Sequence, residues 1–154
     1  MNLFFRVAGV VSLVGVVGAQ GVRPPRTNPP VDHAAIIKAQ TAIPPQARAA
    51  INRACRDCHS NETQWPWYSG VAPMSWFVID HVNHGRRRLN FSEWTRYEPG
   101  RVTDLLTKVC EEVQAGGMPL SSYTLIHRQA RLTATDISAI CDWVDATRTK
   151  RVPN

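Results

Sequence analysis

Cys55-Arg56-Asp57-Cys58-His59 is a C-x-x-C-H run, the attachment pattern of a c-type haem. Two thiols would add to the two vinyl groups of one porphyrin, and the adjacent imidazole would ligate its iron. On a helix, Cys58 lies three residues and His59 four residues beyond Cys55, so the spacing predicts all three on one face. Three other readings compete. A thioredoxin-like redox pair calls for a βαβ context, and no strand pattern surrounds this run. A zinc site calls for a second ligand pair at finger-like spacing, which neither the distant pair Cys110 and Cys141 nor the scattered His33, His81, His84 and His127 supplies. A structural disulfide between Cys55 and Cys58, or a chance match, is the plain alternative.

Working outward, Ala47, Ala50, Ile51, Ala54, Cys55 and Cys58 follow helical spacing and put a mostly alanine face ahead of the cysteines. Ser60 to Pro73 reads as a loop rich in aromatics. Trp65, Trp67 and Tyr68 are candidates for packing on a porphyrin face or edge. A helix is predicted from Met74 to His84, with Met74, Phe77, Val78 and His81 on one stripe, Trp76, Ile79 and Val82 widening it, and Gly85 as its stop. Phe91 to Trp94 reads as a turn or short helix capped by Ser92. Val102, Leu105, Leu106, Val109, Cys110 and Val113 make the cleanest amphipathic helix, ended by Gly116-Gly117. Thr133 to Asp136 reads as a capping box, followed by the apolar face Ile137, Ile140, Cys141 and Val144. The expectation is an all-α fold: a cytochrome-c-like domain of four to five helices around one covalent haem c.

His59 would supply one axial ligand. Candidates for the other are Met118, Met74 and the histidines, with an open site as the remaining alternative. Met118 is favoured, because Gly116-Gly117-Met118-Pro119 holds it in a loop between two helices and away from a core-facing stripe. Thioether ligation raises the haem potential and suits electron transfer. His127 is expected to hydrogen-bond the Met118 loop. Cys110 and Cys141 both fall on core faces and are read as a disulfide partnership, with buried free thiols as the alternative.

The N-terminus reads as an export signal. Arg6 closes a short positive region, Val7 to Val17 is apolar, and Val17-Gly18-Ala19 offers small residues before a cleavage at Gln20. An uncleaved membrane anchor is the alternative. Residues 20–45 carry three Pro-Pro pairs and read as a linker, with an arm wrapped on the domain as the alternative. Residues 46–154 are then one domain of about 110 residues. The 154-residue chain carries 18 Lys and Arg against 12 Asp and Glu, a formal charge of +6. That balance points to an acidic redox partner or an anionic surface. With an export signal, a haem motif and no basic helix face, nucleic acid is not expected as a partner. Arg86-Arg87-Arg88 is the one basic run, read as a solvated helix end or, more sharply, as a contact for a partner or a haem propionate.

The run from Cys55, C-R-D-C-H-S-N-E-T-Q-W-P-W-Y-S-G-V-A-P-M-S-W, and the later G-R-R-R-L-N-F-S-E-W ending at Trp94, resemble the bacterial haem-binding domain family of exported or membrane-anchored monohaem cytochromes. So do Arg26-Thr27-Asn28-Pro29-Pro30-Val31, Cys110-Glu111-Glu112-Val113, Gly117-Met118-Pro119-Leu120 with Tyr123, and Cys141-Asp142-Trp143. The likeness covers about residues 26 to 145. It implies a cytochrome-c-like fold, haem on Cys55 and Cys58, His59 as proximal ligand and Met118 as distal ligand. Relatives often begin with a longer apolar anchor than residues 7–19. The function expected is electron transfer outside the cytoplasm, periplasmic or exported, without enzymatic turnover. A peroxidase-like enzyme or gas sensor with an exchangeable sixth ligand is the alternative, in which His81, His84 or His127 would donate hydrogen bonds.

Overall fold

A computed structural model describes residues 3–150, all helices, turns and loops, with no strand among the described residues. The first two residues of the N-terminal segment and the last four of the C-terminal domain lie outside them. In chain order the α-helices are α1 (Leu3–Ala19), α2 (Ile37–Gln40), α3 (Pro45–Ala54), α4 (Arg56–His59), α5 (Met74–Arg88), α6 (Pro99–Gln114), α7 (Ser121–Ile126) and α8 (Ala134–Thr149). Short 3₁₀ turns cover Trp67–Gly70, Phe91–Arg96 and Arg128–Ala130. Beyond α1, the helices long enough to show a period are α3, α5, α6 and α8, the four that hydrophobic spacing predicts. Helices α2, α4 and α7 have 4, 4 and 6 residues, too short to leave a periodic trace.

The core forms where α6 and α8 pack together and α3 lies on α8. Ala47, Ala50 and Ile51 of α3, Leu106 and Val113 of α6, and Ile140, Trp143 and Val144 of α8 are buried in one cluster with Phe91 and Trp94. The alanine face of α3 lets α8 approach closely. Cys110 and Cys141 are disulfide-bonded across the α6–α8 contact, with Cα atoms 5.0 Å apart. The start of α8 is a complete capping box. The Thr133 hydroxyl accepts from Asp136 N–H, and the Asp136 carboxylate accepts from Thr133 N–H. The same carboxylate pairs with Arg53 of α3, whose Nε also donates to the Gln129 carbonyl.

The structure revises several expectations. The helix through the cysteines is bent at Cys55 (φ −121°), which separates α3 from α4. Helix α5 does not stop at Gly85 but runs on to Arg88. The 3₁₀ turn at Phe91 is capped by Asn90, whose side chain accepts from Ser92 N–H. Ser92 is buried, and its hydroxyl accepts from Asn61 N–H.

Residues 20–45, read as a linker, are laid along the domain. Gln20 and Ala72 exchange two hydrogen bonds, and Trp76 Nε1 donates to the Val22 carbonyl. Arg86 is the main clasp. Its guanidinium donates to the Thr27 carbonyl, Asn28 Oδ1 and Thr63 Oγ1, and its Nε to the Ser60 carbonyl. Ile36, Ile37 and Ile43 are buried. Proline explains both readings: it fixes an extended chain whether or not that chain is docked.

Candidate haem site

His59 is the best-defined member of the site. It ends α4, and its Nδ1 lies 3.1 Å from the Gly85 carbonyl and 3.1 Å from the Leu89 carbonyl. Carbonyls only accept, so Nδ1 carries the proton and Nε2 presents a lone pair. This is the arrangement a metal-ligating imidazole needs, with the tautomer and ring plane set by a main-chain partner. Burial pushes the His59 pKa down, which keeps the ring neutral. The ring also rests edge-on against Phe91, centroids 6.4 Å apart.

Gly85 makes the approach of α5 to α4 feasible. A Cβ there would stand 2.5 Å from the Cys58 carbonyl oxygen and 3.1 Å from its carbon. The sequence reading takes this glycine for a helix stop. Its role is contact: only a bare backbone lets α5 bring the Gly85 carbonyl to the imidazole.

Two adjoining cavities open beside the motif. The first, of about 350 Å³, is lined by Cys58, His59, His81, Arg88 and Met118 among others. The second, of about 520 Å³, is bounded by Tyr68, Met74, Phe77, Val78, Leu125 and His127 among others. Cys58, His81, Leu120 and Tyr123 belong to both walls. The volumes fall in the range of ligand pockets, and the walls are mostly apolar with a few convergent polar groups.

Met118 thus shares a cavity with His59. Gly116 adopts φ +71°, the left-handed conformation that suits glycine. The N–H groups of Gly117 and Met118 then turn back onto the Glu112 carbonyl (2.9 and 3.2 Å). That closes α6 and delivers Met118 at its tip.

Cys58 reaches both cavities, whereas Cys55 lines neither and packs, half-buried, against the core cluster. The backbone bend falls at Cys55 itself, between α3 and α4. Burial pushes both thiols up, Cys55 to about 12 with the neighbouring Cys58 adding, and Cys58 to about 11 with Asp57 adding. Neither is a preformed thiolate.

The aromatic loop divides. Tyr68 lines the larger cavity, but Trp67 is exposed and rests edge-on against Tyr68, and Trp65 lies beneath the Arg86 guanidinium at 6.0 Å. Neither Trp65 nor Trp67 lines these two cavities. Met74, His81 and His127 do line the cavities. His84 lines the smaller one, beside His81. His127 does not bond the Met118 loop. Its Nε2 lies 2.6 Å from the Tyr68 hydroxyl, and its ring stacks on Tyr123 at 4.4 Å. In the basic run, Arg86 is used by the arm, Arg87 is exposed and Arg88 lines the smaller cavity.

Sequence reasoning passes over Asp57, in the middle of the motif. Its carboxylate accepts from Gln64 N–H and from the Tyr123 hydroxyl (2.9 Å). Tyr123 is therefore tied to α4, and α7 with the adjoining Leu120 is held over the cavities. The residues in hand suit a haem: a lone-pair nitrogen fixed by main-chain carbonyls, a thioether in the same cavity, apolar walls, an arginine at the rim and two free cysteines.

Residues 14–146 of the chain match the haem-binding domain family. The chain belongs to that family. The match covers most of the molecule, from within α1 to the last turns of α8, and includes the docked arm, the His59 cradle and the Met118 loop. No curated protein and no solved structure matches the chain significantly. Among the described residues, His59 is the histidine whose Nδ1 is held by two main-chain carbonyls; His81, which lines both cavities, has its Nδ1 2.8 Å from the Phe77 carbonyl of its own helix.

Proposed function

We propose that this haem-binding domain is a monohaem c-type cytochrome with a cytochrome-c-like fold, carrying electrons outside the cytoplasm. One observation carries the reading: His59 Nδ1 is held by two main-chain carbonyls, which leaves Nε2 free, and His59 lines a cavity that Met118 also lines. When bound, haem supplies a one-electron iron couple.

The chain's own contributions follow from its geometry. Gly85 and Leu89 orient the proximal imidazole through their carbonyls. Cys58, and Cys55 after a local adjustment at its bent backbone, provide the thiols for covalent attachment. Met118, positioned by Gly116 and the Glu112 carbonyl, would provide a thioether to hold the iron. Tyr68, Phe77, Val78 and Leu120 provide apolar walls that exclude water. Arg88 stands where a carboxylate at the haem margin would find a cation. No side chain is assigned as acid, base or nucleophile.

Export is part of the proposal. The apolar N-terminal segment and the Cys110–Cys141 disulfide both suit an oxidising compartment. Net positive charge suits an acidic redox partner. The test is the absorption spectrum of the reduced, haem-loaded protein with and without carbon monoxide. No change is expected, because His59 and Met118 would both hold the iron. Ready binding would favour a sensor or peroxidase-like reading, with His84 or the Tyr68–His127 pair as donors.

A further inference from the structure

The mouth of the larger cavity is apolar outside as well as inside. Met74, Phe77, Leu125 and Ile126 line it and are also exposed at its rim. Trp67 (82 % exposed), Val71 (45 %) and Trp76 (38 %) extend this rim across the 3₁₀ turn and the start of α5. Trp67 is the most exposed large apolar side chain of the described residues, and a patch of this kind marks an interaction surface.

Helix α1 indicates what covers it. Residues 4–18 are exposed on every side, and the only charge among them is Arg6. A helix apolar all round belongs in a core or in lipid, and this one touches no core. Its C-terminal end is fastened to the patch itself: Gln20 to Ala72 by two hydrogen bonds, and Val22 to Trp76 by a third of 2.6 Å. Arg6 and the exposed Arg23 flank α1 at its two ends, where anionic headgroups would meet them. Tryptophan beside such a helix is the side chain that prefers the headgroup level. At 17 residues α1 would be about 26 Å long, and no helix of the described residues is long and apolar enough to cross a membrane.

We propose that the patch around Trp67, Val71 and Trp76 is a lipid-docking surface that, with α1, holds the mouth of the larger cavity against a bilayer. The inference rests on the export reading with α1 retained as an anchor, and adds an orientation: the cavity mouth lined by Phe77 and Leu125 faces the headgroups.

The test uses the haem-loaded full chain and vesicles of phosphatidylcholine with phosphatidylglycerol. Hydroxyl-radical footprinting by mass spectrometry reads side-chain exposure with and without vesicles. Oxidation of Trp67, Met74 and Trp76 is expected to fall several-fold on the vesicles, while Tyr97, packed on Trp94, keeps its rate. Trp67→Glu with Val71→Glu should weaken vesicle partitioning by about tenfold or more. The haem spectrum should not change, since neither residue lines a cavity. Protection confined to residues 3–22, or no vesicle binding, would overturn the proposal. The absorption spectrum independently reports whether the haem reading holds.

Discussion

Gly85→Ala is the sharpest perturbation of the proximal side. In an exposed helix interior this change stabilises by about 1 kcal/mol through propensity. Here the new Cβ would stand 2.5 Å from the Cys58 oxygen, 3.1 Å from its carbonyl carbon and 3.2 Å from its Cβ. The first two are backbone atoms of the haem motif, so no flexible side chain can yield. Overpacking of this kind costs about 1–3 kcal/mol, which exceeds the propensity gain over most of its range. Relief requires α5 to move off α4. That carries the Gly85 carbonyl away from His59 Nδ1 and loosens the proximal ring. The expected result is a net loss of up to about 2 kcal/mol and a drop in Tm of up to about 8 °C, with reduced haem loading by absorbance. Gly100→Ala in α6, where a Cβ meets nothing within 4 Å, is the control and should lose no stability. A Gly85→Ala protein with unchanged melting and unchanged spectrum would refute the close-approach argument.

Further outcomes follow from other parts of the structure. Met118→Ala is expected to lower the haem potential and allow carbon monoxide to bind the reduced protein, read by voltammetry and absorbance; an unchanged spectrum would remove Met118 from the iron. Replacing Cys110 and Cys141 by serine should cost about 3–4 kcal/mol from the roughly 30-residue loop they close, measured by denaturant titration of the two proteins. Asp136→Asn should cost about 1–2 kcal/mol by weakening the capping box and the Arg53 pair, checked the same way. Arg53 and the Thr133 N–H hold the Asp136 carboxyl down at about 2. Its contribution is therefore complete above the ordinary carboxyl value near 4 and disappears as pH falls through about 2. Acid melts of the parent and Asp136→Asn proteins should converge there.

The parts of this molecule legible in its sequence are those with a period or a fixed chemistry. Helices α6 and α8, the Thr133 capping box and the C-x-x-C-H run all carry local signals that the fold preserves. What the sequence hides is where backbone meets backbone. Gly85 looks like a helix stop because glycine commonly is one, yet its role is set by Cys58, 27 residues earlier. The bend at Cys55 breaks a six-residue periodicity that continues on paper, and Cys55 packs against the core cluster. Proline marks residues 20–45 as extended, but that the extended chain is docked depends on distant partners such as Ala72, Trp76 and Arg86. Tyr123 reads as an aromatic in a short run, and its bond to Asp57 depends on a helix of 6 residues with no visible period. His127 is pulled to Tyr68 for the same reason: the partner lies 59 positions away.

The central claim is covalent haem on this chain with His59 as ligand. It is tested most directly by the intact mass of the full chain produced in a host able to mature c-type haem, with peptide mapping of residues 55–59. The account predicts one haem per chain, retained after denaturation and mapped to Cys55 and Cys58, with Cys55→Ser and Cys58→Ser each leaving a single thioether. A protein of apo mass, with Cys55 and Cys58 free or disulfide-bonded to each other, would contradict it.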